Sequence, residues 1–189
     1  MDTSRLEAFS DGVFAVIITI VVLGVRVPTG DSFAALAPVL PTLVVYIWSF
    51  QIIATYWNNH HHLVHAAQTI STRIMWSNMA LLFWLSLIPF STEWLGKHVG
   101  SVWPSVVYAF ILLGAASAYA LLQQAIVARE GKDSAVALAI GKNTKGKVSN
   151  LFYFAAVIFA FIQPVVSYAF IVAVSLIWFI PDRRLRKLD

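Results

Sequence analysis

Residues 5–25 read RLEAFSDGVFAVIITIVVLGV, a polar Phe-Ser-Asp step at the foot of an otherwise unbroken apolar helix. An aspartate bordering such a stretch is costly in a bilayer unless protein buries it or water reaches it. The pattern therefore describes a helix whose base is embedded in protein. Counted from Arg5, its 21 residues make a rod of about 31 Å, enough to cross a hydrocarbon core. The charge ahead of the apolar run is mixed (Asp2, Arg5, Glu7, Asp11), and the run ends in Arg26-Val27-Pro28 without a small-residue cleavage pattern. This is a retained helix, not a signal peptide.

The remainder of the chain agrees. Of 189 residues, 59% are hydrophobic and only 12% charged, about half the charge of a soluble domain. Mean hydropathy is +0.77. The chain has no cysteine, which excludes a disulfide framework, an iron–sulfur cluster and a thiolate zinc site. The net charge of +4 is read as membrane orientation and not as nucleic-acid binding. The expected fold is all-α, one membrane domain over residues 1–189 with six transmembrane helices at about 5–25, 41–62, 75–95, 102–127, 148–162 and 164–180. Pro89 should kink the third segment and Pro104 suits the first turn of the fourth. Gln163-Pro164 is the sole punctuation between the last two, giving a tight hairpin or one broken helix.

With six spans, one side carries Arg5, Arg73, Arg129, Lys132, Lys142, Lys145, Lys147, Arg183, Arg184, Arg186 and Lys187, and the other only Arg26 and Lys97. This asymmetry puts both termini in the cytoplasm. Trp57, Trp76, Trp94, Trp103 and Trp178 fall near segment ends, as interfacial anchors do. The polar stretch 129–147 is a cytoplasmic linker or a lipid-binding element, with a short surface helix over 134–140. The Phe-Ser-Asp step is not duplicated within the chain, so a symmetric pathway requires several copies.

On a helical wheel, Gly12, Val16, Thr19 and Leu23 fall within about 60° of one another. Ser10 and Asp11 lie more than about 100° from Val16, on either side. If those two face the protein, the stripe with Thr19 faces an oligomer axis, another helix or lipid. A membrane threonine commonly bonds its own backbone one turn back, so the wheel leaves these alternatives open.

Arg5-x-x-x-Phe9-Ser10-Asp11 opening a first membrane helix, with Trp57-Asn58-Asn59-His60-His61 closing the second, resembles the prokaryotic branch of the lysosomal-type potassium channel family, transmembrane protein 175. The resemblance implies a single six-helix repeat that assembles as a homotetramer in a prokaryotic cell membrane. Four first helices would line the pore, with Val16, Thr19 and Leu23 at the family's constriction and selectivity positions. Val16 is smaller than the aliphatic residue expected there, which shifts sealing toward Leu23.

The chain carries no Thr-Val-Gly-Tyr-Gly-like loop, and the stripe has no acidic residue within the apolar span. An apolar constriction with a threonine ring would pass caesium and potassium ahead of sodium, with modest selectivity. No cofactor is expected beyond permeant potassium ions. The resemblance also gives Ser10 and Asp11 a structural task, bonding the histidines and Trp57 at the base of the second helix, with Arg5 as charge partner. Arg5 and Asp11 sit about 120° apart on the wheel, so they would share a histidine or pair between segments.

His61 and His65 are four apart and His62 and His65 three apart. Structural bonding, pH sensing and metal binding all fit that spacing, although two imidazoles without a carboxylate or thiolate make an incomplete metal site. His98 is incidental. No nucleophilic triad, carboxylate pair or phosphate loop points to an enzyme. A proton- or cation-coupled transporter using Asp11 and the histidines, and a non-transporting membrane scaffold, are the competing functions.

Overall fold

The computed structural model describes residues 3–141 and 143–179. Lys142 and the basic run Arg183, Arg184, Arg186 and Lys187, counted above for orientation, lie outside the described residues. The chain is all-helical, with no strand among the described residues. Helix α1 spans Thr3–Leu23, and a 3-10 turn at Phe33–Leu36 leads into α2, Leu40–His65. Then follow α3 (Thr72–Ser86), α4 (Ile88–Lys97), α5 (Val102–Glu130), the short α6 (Ala135–Ile140), α7 (Thr144–Ile162) and α8 (Pro164–Phe179). By length and composition, α1, α2, the α3–α4 pair, α5 and α7 can each cross a membrane. The 16 residues of α8 make a rod of about 24 Å. The turn at Phe33–Leu36 carries no signal that the sequence reading used.

Proline accounts for two of the boundaries. Leu87 alone separates α3 from α4. Pro89 has no N–H to offer the Leu85 carbonyl, so the ladder cannot run through this point. The third segment is therefore interrupted at Leu87, within the turn that Pro89 breaks, while Thr72–Lys97 still forms one span, as expected of a proline kink. Pro164 stands at the first position of α8, where its missing N–H is not needed. Gln163 before it is extended, at φ −151° and ψ 96°, as a residue ahead of proline prefers. The last two segments thus form a tight hairpin, closed by Phe170 stacked on Phe159 and edge-on to Phe152.

Helix α5 is the centre of the bundle. Small residues fill its middle, Gly114-Ala115-Ala116-Ser117-Ala118, and its Leu112, Ala115, Leu122 and Ile126 are wholly buried. Small side chains let helix backbones approach where hydrophobic collapse gives no driving force. A Cβ on Gly114 would stand 2.3 Å from the Trp84 ring of α3. Buried hydroxyls tie further helices to it. Thr92 of α4 bonds Ser49 of α2 at 2.7 Å, and Ser49 bonds Tyr108 of α5 at 2.8 Å. Tyr168 of α8 bonds Ser105 at 2.6 Å and accepts the Gly100 N–H at 3.0 Å.

These contacts sort the helix ends into two poles. At one pole Thr3 reaches Ala67, Glu130 accepts the N–H groups of Gln68 and Thr69, and Asn143 reaches Gln123. Trp178 donates to Ser149 there, so the ends of α1 and α8 share this pole. Arg5, Arg73, Arg129, Lys132, Lys145 and Lys147 all belong to it. At the other pole Gly24 packs on Glu93, whose carboxylate pairs with Lys97, and Gly96 packs on Thr42.

A Cβ on Gly96 would meet the Thr42 Cα at 2.8 Å. The obstruction is backbone and cannot swing aside. Propensity alone favours alanine over glycine in a helix, whereas this contact forces α2 and α4 apart at a cost of about 1–3 kcal/mol. Gly96→Ala should therefore lower the melting temperature of the detergent-solubilised protein; a rise would show that the two helices are not held this closely.

Candidate pore helix and its polar anchor

Helix α1 has two unlike faces. Leu6, Ser10, Phe14, Ile17 and Val21, spaced by three and four, are buried in the subunit. The opposite face carries Gly12, Val16, Thr19 and Leu23, all exposed, with Val16 at 54% and Leu23 at 79% of their free surface. This is the stripe isolated on the helical wheel. A groove beside it runs from Phe9 past Ile20 to Gly24, with Pro89, Phe90 and Glu93 of α4 as its other wall. The Thr19 hydroxyl lies 2.9 Å from the Val16 carbonyl and 3.1 Å from that of Ala15. Its hydrogen is committed to the helix backbone, so its oxygen lone pairs remain for the exposed side.

The buried face is fixed by a polar chain. Asn78 of α3 donates from Nδ2 to Ser10 Oγ at 2.9 Å, and Ser10 donates in turn to the Leu6 carbonyl at 2.8 Å. The Asn78 Oδ1 lies 2.7 Å from Nε2 of His60 on α2. With the amide so oriented, His60 donates from Nε2, and its buried Nδ1 has no partner. Ser10, His60 and Asn78 have no exposed surface, and the Phe14 ring packs on the imidazole at 5.4 Å. Three helices thus meet at one amide.

A second layer lies nearer the surface. The Trp57 indole donates to Asp11 Oδ1 at 2.9 Å, and His61 Nδ1 meets the Glu7 carboxylate at 2.7 Å. Asp11 therefore does bond Trp57, as the family resemblance implied, whereas Ser10 reaches His60 only through Asn78. Arg5 is exposed, and no ion pair joins it to Asp11 among the described residues. Phe9 is also exposed, and Asn58 takes no part in either layer. His61 stacks on His65, its rings 5.9 Å apart. Among the described residues no group of three side chains is placed to hold a metal ion.

Two participants escaped the sequence reading, Asn78 and Glu7. The signal for Asn78 was a single amide inside the apolar run of the third segment. Glu7 stands one turn before Asp11 and was read only as part of a mixed-charge terminus.

A family model described as the endosomal/lysosomal potassium channel TMEM175 matches residues 5–89, the stretch that contains most of α1, all of α2 and α3, and their polar junction. A potassium channel of Chryseobacterium sp. (strain P1-3) is 44% identical over 187 residues, covering 99% of this chain and 97% of that one. The chain belongs to the TMEM175 family. A potassium channel of Streptomyces collinus is 30% identical over 129 residues, 64% of this chain and 63% of its own length. Among solved structures, the crystal structure of a lysosomal potassium-selective channel TMEM175 homolog from Chamaesiphon minutus superposes with a TM-score of 0.80 at 27% identity, covering 95% of this chain and 97% of that one. This TMEM175 chain is accordingly an all-helical, multi-pass membrane protein of an ion-channel family and not an enzyme.

Replacing Asn78 by leucine would leave both Ser10 and His60 buried without their cross-helix partner. The expected loss is about 1–3 kcal/mol for the orphaned groups, seen as a lower melting temperature and a lower yield of assembled protein. Asp11→Asn keeps an acceptor for Trp57 and should assemble better than Asp11→Ala. If both Asp11 variants assembled normally but no longer conducted, Asp11 would belong to the ion path and not to the anchor.

Proposed function

We propose that four copies of this chain assemble around α1 as a potassium channel of a prokaryotic cell membrane, with both termini in the cytoplasm. The observation that carries the reading is the division of α1. One face is sunk in its own subunit, and Val16, Thr19 and Leu23 on the other are covered by nothing in that subunit. The near full-length relative from Chryseobacterium, named a potassium channel, favours an ion path along that face over lipid. The pole that gathers the basic residues supports the cytoplasmic placement of the termini.

In such an assembly each α1 turns Val16, Thr19 and Leu23 to the axis. The aliphatic rings make a constriction that conducts only when wide enough to stay wet. Leu23, longer than Val16, narrows the outer end more. Between them four Thr19 hydroxyls form a ring of acceptors, each held by its own backbone bond. Four such oxygens replace only part of an ion's water shell. Potassium and caesium surrender water more readily than sodium, so they pass first, with a smaller margin than carbonyl coordination achieves. The Ser10–Asn78–His60 and Asp11–Trp57 contacts hold α1 so that this face stays turned outward from the subunit.

Purified protein in planar bilayers, with potassium, sodium and caesium gradients, tests the proposal. Unitary currents with caesium and potassium ahead of sodium are expected. Slow, saturable flux without unitary events would indicate a coupled transporter, and no flux at all a scaffold. Thr19→Val removes the hydroxyl ring while keeping the shape, and should lower the potassium-to-sodium permeability ratio severalfold. An unchanged ratio would remove Thr19 from the selectivity mechanism.

A further inference from the structure

Helix α1 has two flanks between its buried face and its exposed stripe. Measured from the centre line of Gly12, Val16, Thr19 and Leu23, Ile20 stands about 70° to one side and Ala15 about 70° to the other. Both flanks lie open. Phe9 and Ile20 on the first are 51% and 47% exposed, and Ala15 and Val22 on the second are exposed as well. Their bulk differs. The first flank borders the groove against α4, an open volume of about 930 Å³ whose far wall carries Pro89 and the exposed Phe90 ring. The second presents one alanine and one valine two turns apart, a low edge along the helix.

A wall of helices around an ion path has to be sealed between them, or the lumen opens to lipid. Rotation about a central axis turns the first flank of each subunit toward the second flank of the next. That contact is head-to-tail and closes into a ring. In parallel bundles, the positions beside the central seam are those that meet the neighbouring helix. A small residue on one side lets two helices approach, and a bulky one on the other fills the space between them. Two bulky flanks would hold the helices apart, and two small ones would leave a leak. A lipid tail could fill the groove too, but it would leave the low edge opposite without a purpose.

We propose that the α1–α4 groove of each subunit seats α1 of a second copy of this chain, entered by its Ala15–Val22 edge, with Ile20 meeting Ala15. This seat exists only if Val16, Thr19 and Leu23 face a common axis, as proposed above.

Ala15 and Ile20 point about 140° apart on one helix, so any coupling between them passes between copies. The full-length protein in detergent, weighed by native mass spectrometry over a dilution series, tests this. Ala15→Ile and Ile20→Ala should each lower the tetramer fraction at low concentration about fivefold or more, by overpacking or by a void. The double variant exchanges the bulk across the contact and should recover to within about twofold of the unsubstituted protein. Leu151→Ala, on the exposed face of α7, should leave the fraction unchanged. Single variants that assemble normally, losses that simply multiply in the double variant, or an equal loss in Leu151→Ala each overturn the seat. If the unsubstituted protein is still a tetramer, the pore reading survives that failure; if it is a monomer, both fall. Should a bulk variant fail to fold, the chain's lack of cysteine allows a second measurement. Ala15→Cys combined with Ile20→Cys, treated with a short thiol crosslinker, should give a ladder of bands up to the tetramer. Monomer alone would refute the contact.

Discussion

Inside a hydrocarbon layer water cannot satisfy a polar group, so each buried donor must find its acceptor within the protein. In this chain that constraint acts most strongly at Asn78, whose amide joins Ser10 of α1 to His60 of α2 from its seat on α3. Apolar packing alone fixes the rotation of a membrane helix weakly, because lipid is as apolar as leucine. A hydrogen bond to Ser10 is directional, and rotating α1 by one residue would break it. The face that carries Val16, Thr19 and Leu23 is thus defined by what happens on the opposite side of the helix.

The other buried polar contacts follow the same rule at lower stakes. Thr92, Ser49 and Tyr108 connect α4, α2 and α5, and Ser105 and Tyr168 connect α5 and α8. In each, short hydroxyl side chains meet one another directly or are reached by a tyrosine from a neighbouring helix. Exceptions remain among the described residues, where the Trp48 indole N–H, the Ser167 hydroxyl, Gln51 Oε1 and His60 Nδ1 are buried without a hydrogen-bond partner.

Much of this was legible in the sequence, for identifiable reasons. The apolar runs had the length of a bilayer crossing, and the prolines at 89 and 164 mark breaks in the helix ladder as backbone chemistry requires. The two faces of α1 followed from the 100° turn per residue. What could not be read was long-range pairing. Nothing in the neighbourhood of Asn78 says which of the distant polar residues it will meet, since Ser10 is 68 positions away. Arg5 shows the converse. Its sign made it a natural partner for Asp11, but its side chain emerges at the exposed foot of α1, whereas Asp11 accepts its bond from Trp57 on α2. Glu7, overlooked among the terminal charges, is the residue whose direction suits His61.

The interruption at Leu87 divides what supports α1 into two lever arms. Asn78 sits on the arm below the break and grips α1 at Ser10, whereas Glu93 sits on the arm above it and packs on Gly24, just past the end of α1. A continuous helix would carry bending of one arm straight into the other. With the ladder interrupted at Leu87, the two ends of α1 meet different kinds of support, a directional hydrogen bond at Ser10 and packing beside Gly24.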